Sequence, residues 1–330
     1  MSRMPQPVFT ADVDPHAFCA MTGLSNLTPD LLHRHGPDAS HMVLDRATPG
    51  ARASLWWTAV PRFGAHRLGL IGHYAAVDAG AARVLLDGAC TELARRGCDL
   101  AVGPMDGTVW RRYRLLTQRG TEPPFFLEPD NPDDWPAHFE AAGFTPLAQY
   151  YSALNDDITR HTMPGDLGRS LARQGFVVRS FDVRDAEAEI HRLWEIAATA
   201  FAGHLLYSPI TQDEFAELQR PLLAFVQPEL VQLVETNGRA VGFCFAIPDL
   251  LQARRGETID TVVFHTVAVL PEHRGRRLAS LLLASVAERA RLLGFRRTIF
   301  ALMHEGNPSR RLDRGVMRDF RRYTIFARRL

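Results

Sequence analysis

Lysine is missing from this chain of 330 residues: all 38 basic side chains are arginine. Its absence excludes Schiff-base chemistry, a P-loop lysine and a lysine base, and leaves phosphate recognition to arginine and backbone N–H groups. Cysteine is scarce. Cys19, Cys90, Cys98 and Cys244 form no C-x-x-C pair, so they define neither a metal site nor a disulfide framework and read as packed thiols in a reducing compartment. Excess charge is missing too, because 38 basic residues face 37 acidic ones for a formal net charge of +1. That balance gives no pull toward nucleic acid or an anionic membrane. No apolar run approaches the roughly 18 residues of a membrane-spanning helix, and residues 1–18 lack the apolar core of a signal peptide. A cytoplasmic protein is expected, with no metal, no nucleic-acid partner and no membrane.

What is present is enough apolar content, 46% of residues, to bury two sizeable cores. In the first half, strands are expected at 42–44, 54–60 (closing a run from Arg52) and 67–71, an alanine-rich helix at 81–96 stopped by Gly97, and a strand at 99–103. A loop rich in glycine, proline and aspartate follows at 104–107 and again at 122–135. A helix at 135–142 and a strand at 146–154 close this half. Residues 155–175 mix turn residues without periodicity and read as a linker.

The second half continues with a strand at 176–183 and a helix at 186–201. Thr211 and Glu214 form a capping box that opens a helix toward Val226. Runs at 229–235 and 240–247 flank Asn237 and Gly238, a strong hairpin signal. A strand ending at Leu270, a helix at 278–293, a strand at 297–303, a short helix after Asn307 and a strand at 323–327 complete the order βααβββαβαβ.

Sliding the chain on itself by about 197 positions sets Ala82 on Ala279, Leu85 on Leu282, Leu86 on Leu283 and Gly97 on Gly294 without a gap. Both segments read strand, turn, amphipathic helix, glycine, strand. Phe139 to Tyr151 likewise parallels the stretch from Gly315 to Tyr323 when Phe144 is placed on Phe320. Duplication is the reading preferred over a chance match of two common strand-helix-strand units.

The most informative stretch is 264–280, FHTVAVLPEHRGRRLAS. An apolar, β-branched run ends at Pro271, a basic turn follows, and a helix begins near Arg277. A helix N-terminus carries unpaired N–H groups and positive partial charge, so an arginine-rich loop entering one is a natural seat for a pyrophosphate. Under the internal alignment Val77 stands opposite Arg274 and Gly80 opposite Arg277. Charge therefore favours the C-terminal loop, whereas backbone access favours the N-terminal one.

The turn resembles the acyl-CoA-binding motif of the GCN5-related N-acetyltransferase (GNAT) superfamily, Gln/Arg-x-x-Gly-x-Gly/Ala. Arg274, Gly275, Arg276, Arg277, Leu278 and Ala279 occupy it, with Arg274 and Ala279 matching and Arg277 replacing the central glycine. The resemblance covers nearly all of 176–330 and implies an α/β (α+β) fold of two tandem acetyltransferase-like domains, each a mixed, mostly antiparallel sheet flanked by helices. A degenerate domain would occupy 1–154 and the domain carrying the acyl-CoA site 176–330.

The implied activity is transfer of an acetyl group from acetyl-CoA, a co-substrate, to a small-molecule or peptide amine by direct attack. The alternative is a non-catalytic acyl-CoA-binding or scaffold protein. Pantetheine would lie along the backbone of Val267, Ala268 and Val269, pyrophosphate on the N–H groups of 274–279, and Asn307 with Ser309 would touch the cofactor or cap a turn. The family's carboxylate base falls on Val263, so His265 is either the base, directly or through water, or a buried structural histidine. The family's acidic tyrosine falls on Arg314 or Gly315, leaving Tyr323 or Tyr207 as replacements. The segment His204 to Tyr207 is the expected acceptor wall, or else a buried plug, and His304, at the end of the neighbouring strand, is a second choice for the base and a candidate substrate contact.

Overall fold

The computed structural model describes residues 9–21, 27–45, 48–160, 165–306 and 316–330. The N-terminal half runs α1 (Pro15–Cys19), α2 (Pro29–His35), β1 (Ala39–Asp45), β2 (Thr48–Trp56), β3 (Leu68–Ala76), α3 (Ala79–Arg95), β4 (Leu100–Gly103), β5 (Leu115–Gln118), α4 (Trp135–Ala141) and β6 (Thr145–Asn155). There follow α5 (Leu167–Arg173), β7 (Val177–Ser180), α6 (Ala186–Ala200), α7 (Gln212–Gln219), β8 (Val231–Thr236), β9 (Arg239–Pro248), α8 (Leu250–Arg254), β10 (Thr261–Val269), α9 (Leu278–Leu292), β11 (Arg297–His304) and β12 (Arg318–Arg329).

Local chemistry accounts for many boundaries. The capping box at Thr211 and Glu214 is formed in both directions. The helix it opens ends at Gln219 rather than running on to Val226, because Pro221 removes a backbone donor and a 3₁₀ segment takes over from Arg220 to Phe225. Asn237 and Gly238 both take positive φ, 51° and 73°, the geometry of a two-residue hairpin turn. The second strand stops at Trp56, short of Val60, since the amides of Trp57 and Thr58 turn to the Asp38 carboxylate at 2.6 and 2.9 Å. The final strand is longer than its apolar centre suggests, beginning at Arg318.

The duplication is visible in hydrogen bonds. At the end of α3, Cys98 N donates to Leu93 O and Gly97 N to Ala94 O; at the end of α9, Phe295 N donates to Ala290 O and Gly294 N to Arg291 O. These pairs stand 197 residues apart and build the same glycine-terminated helix stop. Each helix also links the two strands of a parallel pair, β3 with β4 and β10 with β11; every other described pairing is antiparallel.

All the strands join one mixed, mostly antiparallel sheet in the order β1-β2-β3-β4-β12-β6-β11-β10-β9-β8-β7, with β5 also on β12. Its centre is interleaved. The last strand of the chain, β12, lies against β4 of the N-terminal half, while β6 lies against β11 of the C-terminal half. One buried cluster, including Leu85, Trp135 and Phe139, fills the N-terminal half under α3 and α4. A second, including Leu193, Phe243 and Leu282, fills the C-terminal half. A third, with Leu70, Tyr150 and Tyr323, joins the sheet centre to Leu206 from the α6–α7 connection.

Candidate functional site

A cleft in the sheet is created by the way β10 parts from β11. The two strands pair in parallel only from Thr261 to Phe264, opposite Arg297 to Phe300. A register shift against β9 between Phe264 and Thr266 puts His265 in a β-bulge, which bends the strand at that point. On the other side, a shift between Phe300 and Met303 and a left-handed Leu302, φ 60°, turn β11 toward β6. Beyond the bulge Val267, Ala268 and Val269 keep Cys244, Phe243 and Gly242 of β9 as partners. Among the described residues their opposite edge has no strand beside it, which leaves main-chain donors and acceptors open to an extended ligand.

The motif turn lies at the end of this edge. Arg277 is the N-cap of α9 with φ 65° and ψ 19°, the left-handed conformation that glycine takes without strain, and its side chain caps nothing. The first-turn amides of Leu278 and Ala279 thus lack a side-chain acceptor from the N-cap, while beside Gly275 (φ 78°) the place where a Cβ would stand is open for 4 Å. Arg276 extends over the Phe176 ring at 6.0 Å. Arg274 is engaged differently from its expected place as a phosphate ligand: its Nη2 donates to the carbonyl of Ala200 at 2.6 Å, at the C-terminal end of α6.

The equivalent place in the N-terminal half is closed twice over. At the start of α3, Asp78 accepts a hydrogen bond from Ala81 N at 2.8 Å, so a carboxylate already occupies the anion seat of that helix. The edge of β3 is filled by the chain from Met105, whose N donates to Ile71 O at 2.8 Å and whose carbonyl lies 2.3 Å from where a Cβ on Gly72 would stand. His73, φ 49°, hydrogen-bonds His35 at 2.8 Å and Ser54 at 2.9 Å. With Asp106 these histidines bring three donor atoms within 4.8 Å of one another. Burial and the charges of Arg52, Arg111 and Arg112 push His73 down to about 3, and burial with Arg111 pushes His35 down to about 4. Three cations around one carboxyl group make this a poor seat for a divalent ion, and the cluster fills the pocket as a hydrogen-bonded chain.

The other expected residues separate into those at the cleft and those away from it. His265 bonds Thr266 Oγ1 at 3.1 Å, lies 6.0 Å from the Phe245 ring, and is held near pKa 4 by burial and the charge of Arg114. His304 stacks edge-on to Tyr150 at 5.1 Å, and His204 has its pKa lowered by burial, Arg274 and His304. The Tyr207 hydroxyl donates to Ala198 O at 2.9 Å, alongside the Arg274 contact on the same helix end. Tyr323 is fully buried; its hydroxyl donates to Glu128 at 2.6 Å, which together with burial raises its pKa far above the ordinary tyrosine value. It belongs to a structural chain in which Glu128 pairs with buried Arg321 at 2.9 Å and Ser152 receives the amide of Leu302 at 3.0 Å. Val263 is buried in the core. Asn307, Ser309, Arg314 and Gly315 lie outside the described residues.

Residues 190–312 match the acetyltransferase (GNAT) family model. Over that segment of its C-terminal half the chain is similar to the GNAT family. A bacterial ceramide synthase from Caulobacter vibrioides is 25% identical over 195 residues, 56% of this chain and 49% of the relative, so the match spans about half that protein's length. A GCN5-related N-acetyltransferase from Sphaerobacter thermophilus has a TM-score of 0.50 at 16% identity, over 92% of this chain and 87% of the other. A protein from Enterococcus faecalis described as a probable N-acyltransferase has a TM-score of 0.52 at 9% identity, over 88% and 62%. These two likenesses concern the fold. The GNAT match begins inside α6 and spans the bulge, the motif turn and β11, and the N-terminal copy completes a tandem layout.

Sequence reasoning missed Arg114. It lies within the Trp110 to Arg114 stretch, whose aromatic and arginine content is a signal with no direction until the sheet brings it beside Tyr150 and Leu302.

Proposed function

We propose that the chain is an acyl-CoA-dependent N-acyltransferase whose C-terminal half carries the working site. The observation that carries this reading is the conjunction of an unpaired β10 edge with an uncapped, arginine-flanked start of α9. The edge suits the amides of a pantetheine arm, along Val267 to Val269. The turn from Gly275 to Ala279 offers backbone N–H groups and the side chains of Arg276 and Arg277 to a pyrophosphate. Arg274, tied to α6, serves to hold the α6–α7 connection against the turn. The acyl chain is left general, with acetyl as the simplest donor, since the ceramide synthase name of the relative supports acyl transfer more widely than acetyl transfer.

In the reaction a neutral amine attacks the thioester carbonyl, and the C–S bond breaks to release the CoA thiol. His265, neutral above about pH 4, accepts the amine proton directly or through a water. Its low basicity makes it an adequate relay but a poor base toward a fully protonated amine, so the pH dependence above neutrality follows the acceptor. Tyr323 takes no part, and protonation of the thiolate is left to solvent.

The second reading, a non-catalytic acyl-CoA binder, draws on the buried apolar Val263 and the locked Tyr323. Release of CoA thiol with acetyl-CoA and a long-chain acyl-CoA against a panel of amines separates the two. Amine-dependent thiol release that weakens in KM for acyl-CoA when Arg276→Glu is introduced supports the enzyme. Binding without any turnover supports the second reading.

A further inference from the structure

Arg114 is supplied by the N-terminal half, yet its charge is felt at the C-terminal bulge. It stands where the chain enters β5, in a left-handed conformation with φ 66° that disfavours any residue with a Cβ. Its guanidinium lies between two ring faces, 4.1 Å from Tyr113 and 4.2 Å from Tyr150. Nη1 donates to Leu302 O at a long 3.4 Å, and Leu302 is the strained residue that turns β11 from β10. The residue is 6% exposed, and its buried Nε has no hydrogen-bond partner. No carboxylate pairs with it among the described residues.

Arg321, in the same sheet, shows how this fold treats a purely structural cation. It is fully buried, pairs with Glu128 at 2.9 Å and donates to the carbonyls of Glu122 and Pro123, so although its Nη1 is also left without a partner its charge is met by a carboxylate. Arg114 has two aromatic faces and one weak bond instead. Attraction to ring faces offsets only part of the cost of removing a guanidinium from water, so the site as built is short of an anion.

The segment that presents Arg114 is fixed rather than loose. Trp110 packs against Phe201, Tyr207 and Phe215, and its Nε1 donates to Ser208 O at 2.8 Å. The α6–α7 connection, the acceptor wall expected from sequence, is therefore shared with the N-terminal half. Tyr150 bridges Arg114 to His304, and the Arg114 charge also contributes to the lowered pKa of His265.

We propose that Arg114 receives an anionic group, a carboxylate or phosphate, carried by the acceptor near its nucleophilic amine. This rests on the N-acyltransferase reading above and narrows it: the acceptor is an amino acid-like or phosphorylated amine, not a simple alkylamine. A planar guanidinium with a free Nε meets such a group through two parallel N–H···O bonds, which fixes orientation as well as position. Held this way, the amine is brought to the thioester in a single pose, and binding energy from a non-reacting group is used for alignment.

The test compares wild type, Arg114→Gln and Arg114→Lys with one acyl-CoA and two acceptor sets of equal length. One set contains ω-amino acids and aminoalkyl phosphates; the other contains their methyl esters and the parent alkylamines. The expected result is a wild-type preference for one anionic class of about 30-fold or more in kcat/KM. Arg114→Gln should erase the preference, with KM for the anionic set rising far more than any change in the neutral set, and Arg114→Lys should restore part of it. The relative standing of carboxylates and phosphates tells which anion is read. Equal use of both sets by wild type overturns the inference while the enzyme reading stands, as does an equal kcat loss for both sets in Arg114→Gln. Should that variant fail to fold, the wild-type preference alone decides. If no amine in either set is acylated, the N-acyltransferase reading itself fails and this inference with it.

Discussion

Arg277 concentrates the tension between stability and binding in one residue. With φ at 65° it holds the conformation that glycine takes freely, in the turn that enters α9. Arg277→Gly should remove about 1 kcal/mol of backbone strain, partly offset by the greater freedom of glycine in the unfolded chain. Urea unfolding should show a shift between zero and about 1 kcal/mol toward stability, and a clear loss would mean that the side chain makes contacts worth more than the strain. The buried histidines make a second prediction at this scale. His35, His73 and His265 are held near pKa 4, 3 and 4, below the ordinary value of 6.5. A lowered folded pKa means that the unfolded chain binds protons first as pH falls. Stability is therefore full above about pH 6.5 and lost as pH drops toward 4, by on the order of 2–3 kcal/mol for a well-buried histidine. Thermal unfolding from pH 7.5 to 4.5 should show this decline, and replacing His73 by Asn should flatten it; an unchanged slope would contradict the assignment.

At the scale of elements, the two β-α-β units show how one framework is opened in one copy and closed in the other. The spans of α3, α4, α6 and α9, the glycine stops at 97 and 294, the capping box and the Asn237–Gly238 turn were legible because each depends on a few neighbouring residues, whereas the end of α7 was not. The cleft was less so. The bulge at His265, the turning of β11 at Leu302 and the filling of the N-terminal cleft by Met105 depend on pairing between strands far apart in sequence, which leaves no local pattern. Charge pointed to the C-terminal turn and to Arg274 in it, but Arg274 is engaged with the end of α6, a contact between distant segments that no local pattern announces. Gly72 tests the closed cleft. A methyl group there would meet the Met105 carbonyl at 2.3 Å, so Gly72→Ala must displace either β3 or the loop. A loss of about 2–4 kcal/mol is expected in equilibrium unfolding. Little or no loss would show that the loop yields easily and that the N-terminal cleft can open.

For the whole molecule, the interleaved centre of the sheet makes the two halves interdependent. β12 is hydrogen-bonded to β4 and β5 on one side and to β6 on the other, and β6 in turn carries β11. Sequence reading found two copies of one unit but had no means of seeing that their last strands lie across the boundary, because both alternatives bury the same alternating residues. Ending the chain at residue 317 should therefore abolish cooperative unfolding in both halves, as followed by circular dichroism and proteolysis. Survival of a protected N-terminal fragment would show that β4 and β6 close without β12.

The most direct test of the account is the number of acyl-CoA molecules bound by one chain, measured by calorimetric titration of the intact protein and of Arg276→Glu. One site is predicted, weakened by the substitution, since among the described residues only the C-terminal cleft has both an open strand edge and an uncapped helix start. Two sites would show that Asp78 and the Met105 loop do not close the N-terminal copy, and no binding at all would contradict the acyltransferase reading of the C-terminal cleft.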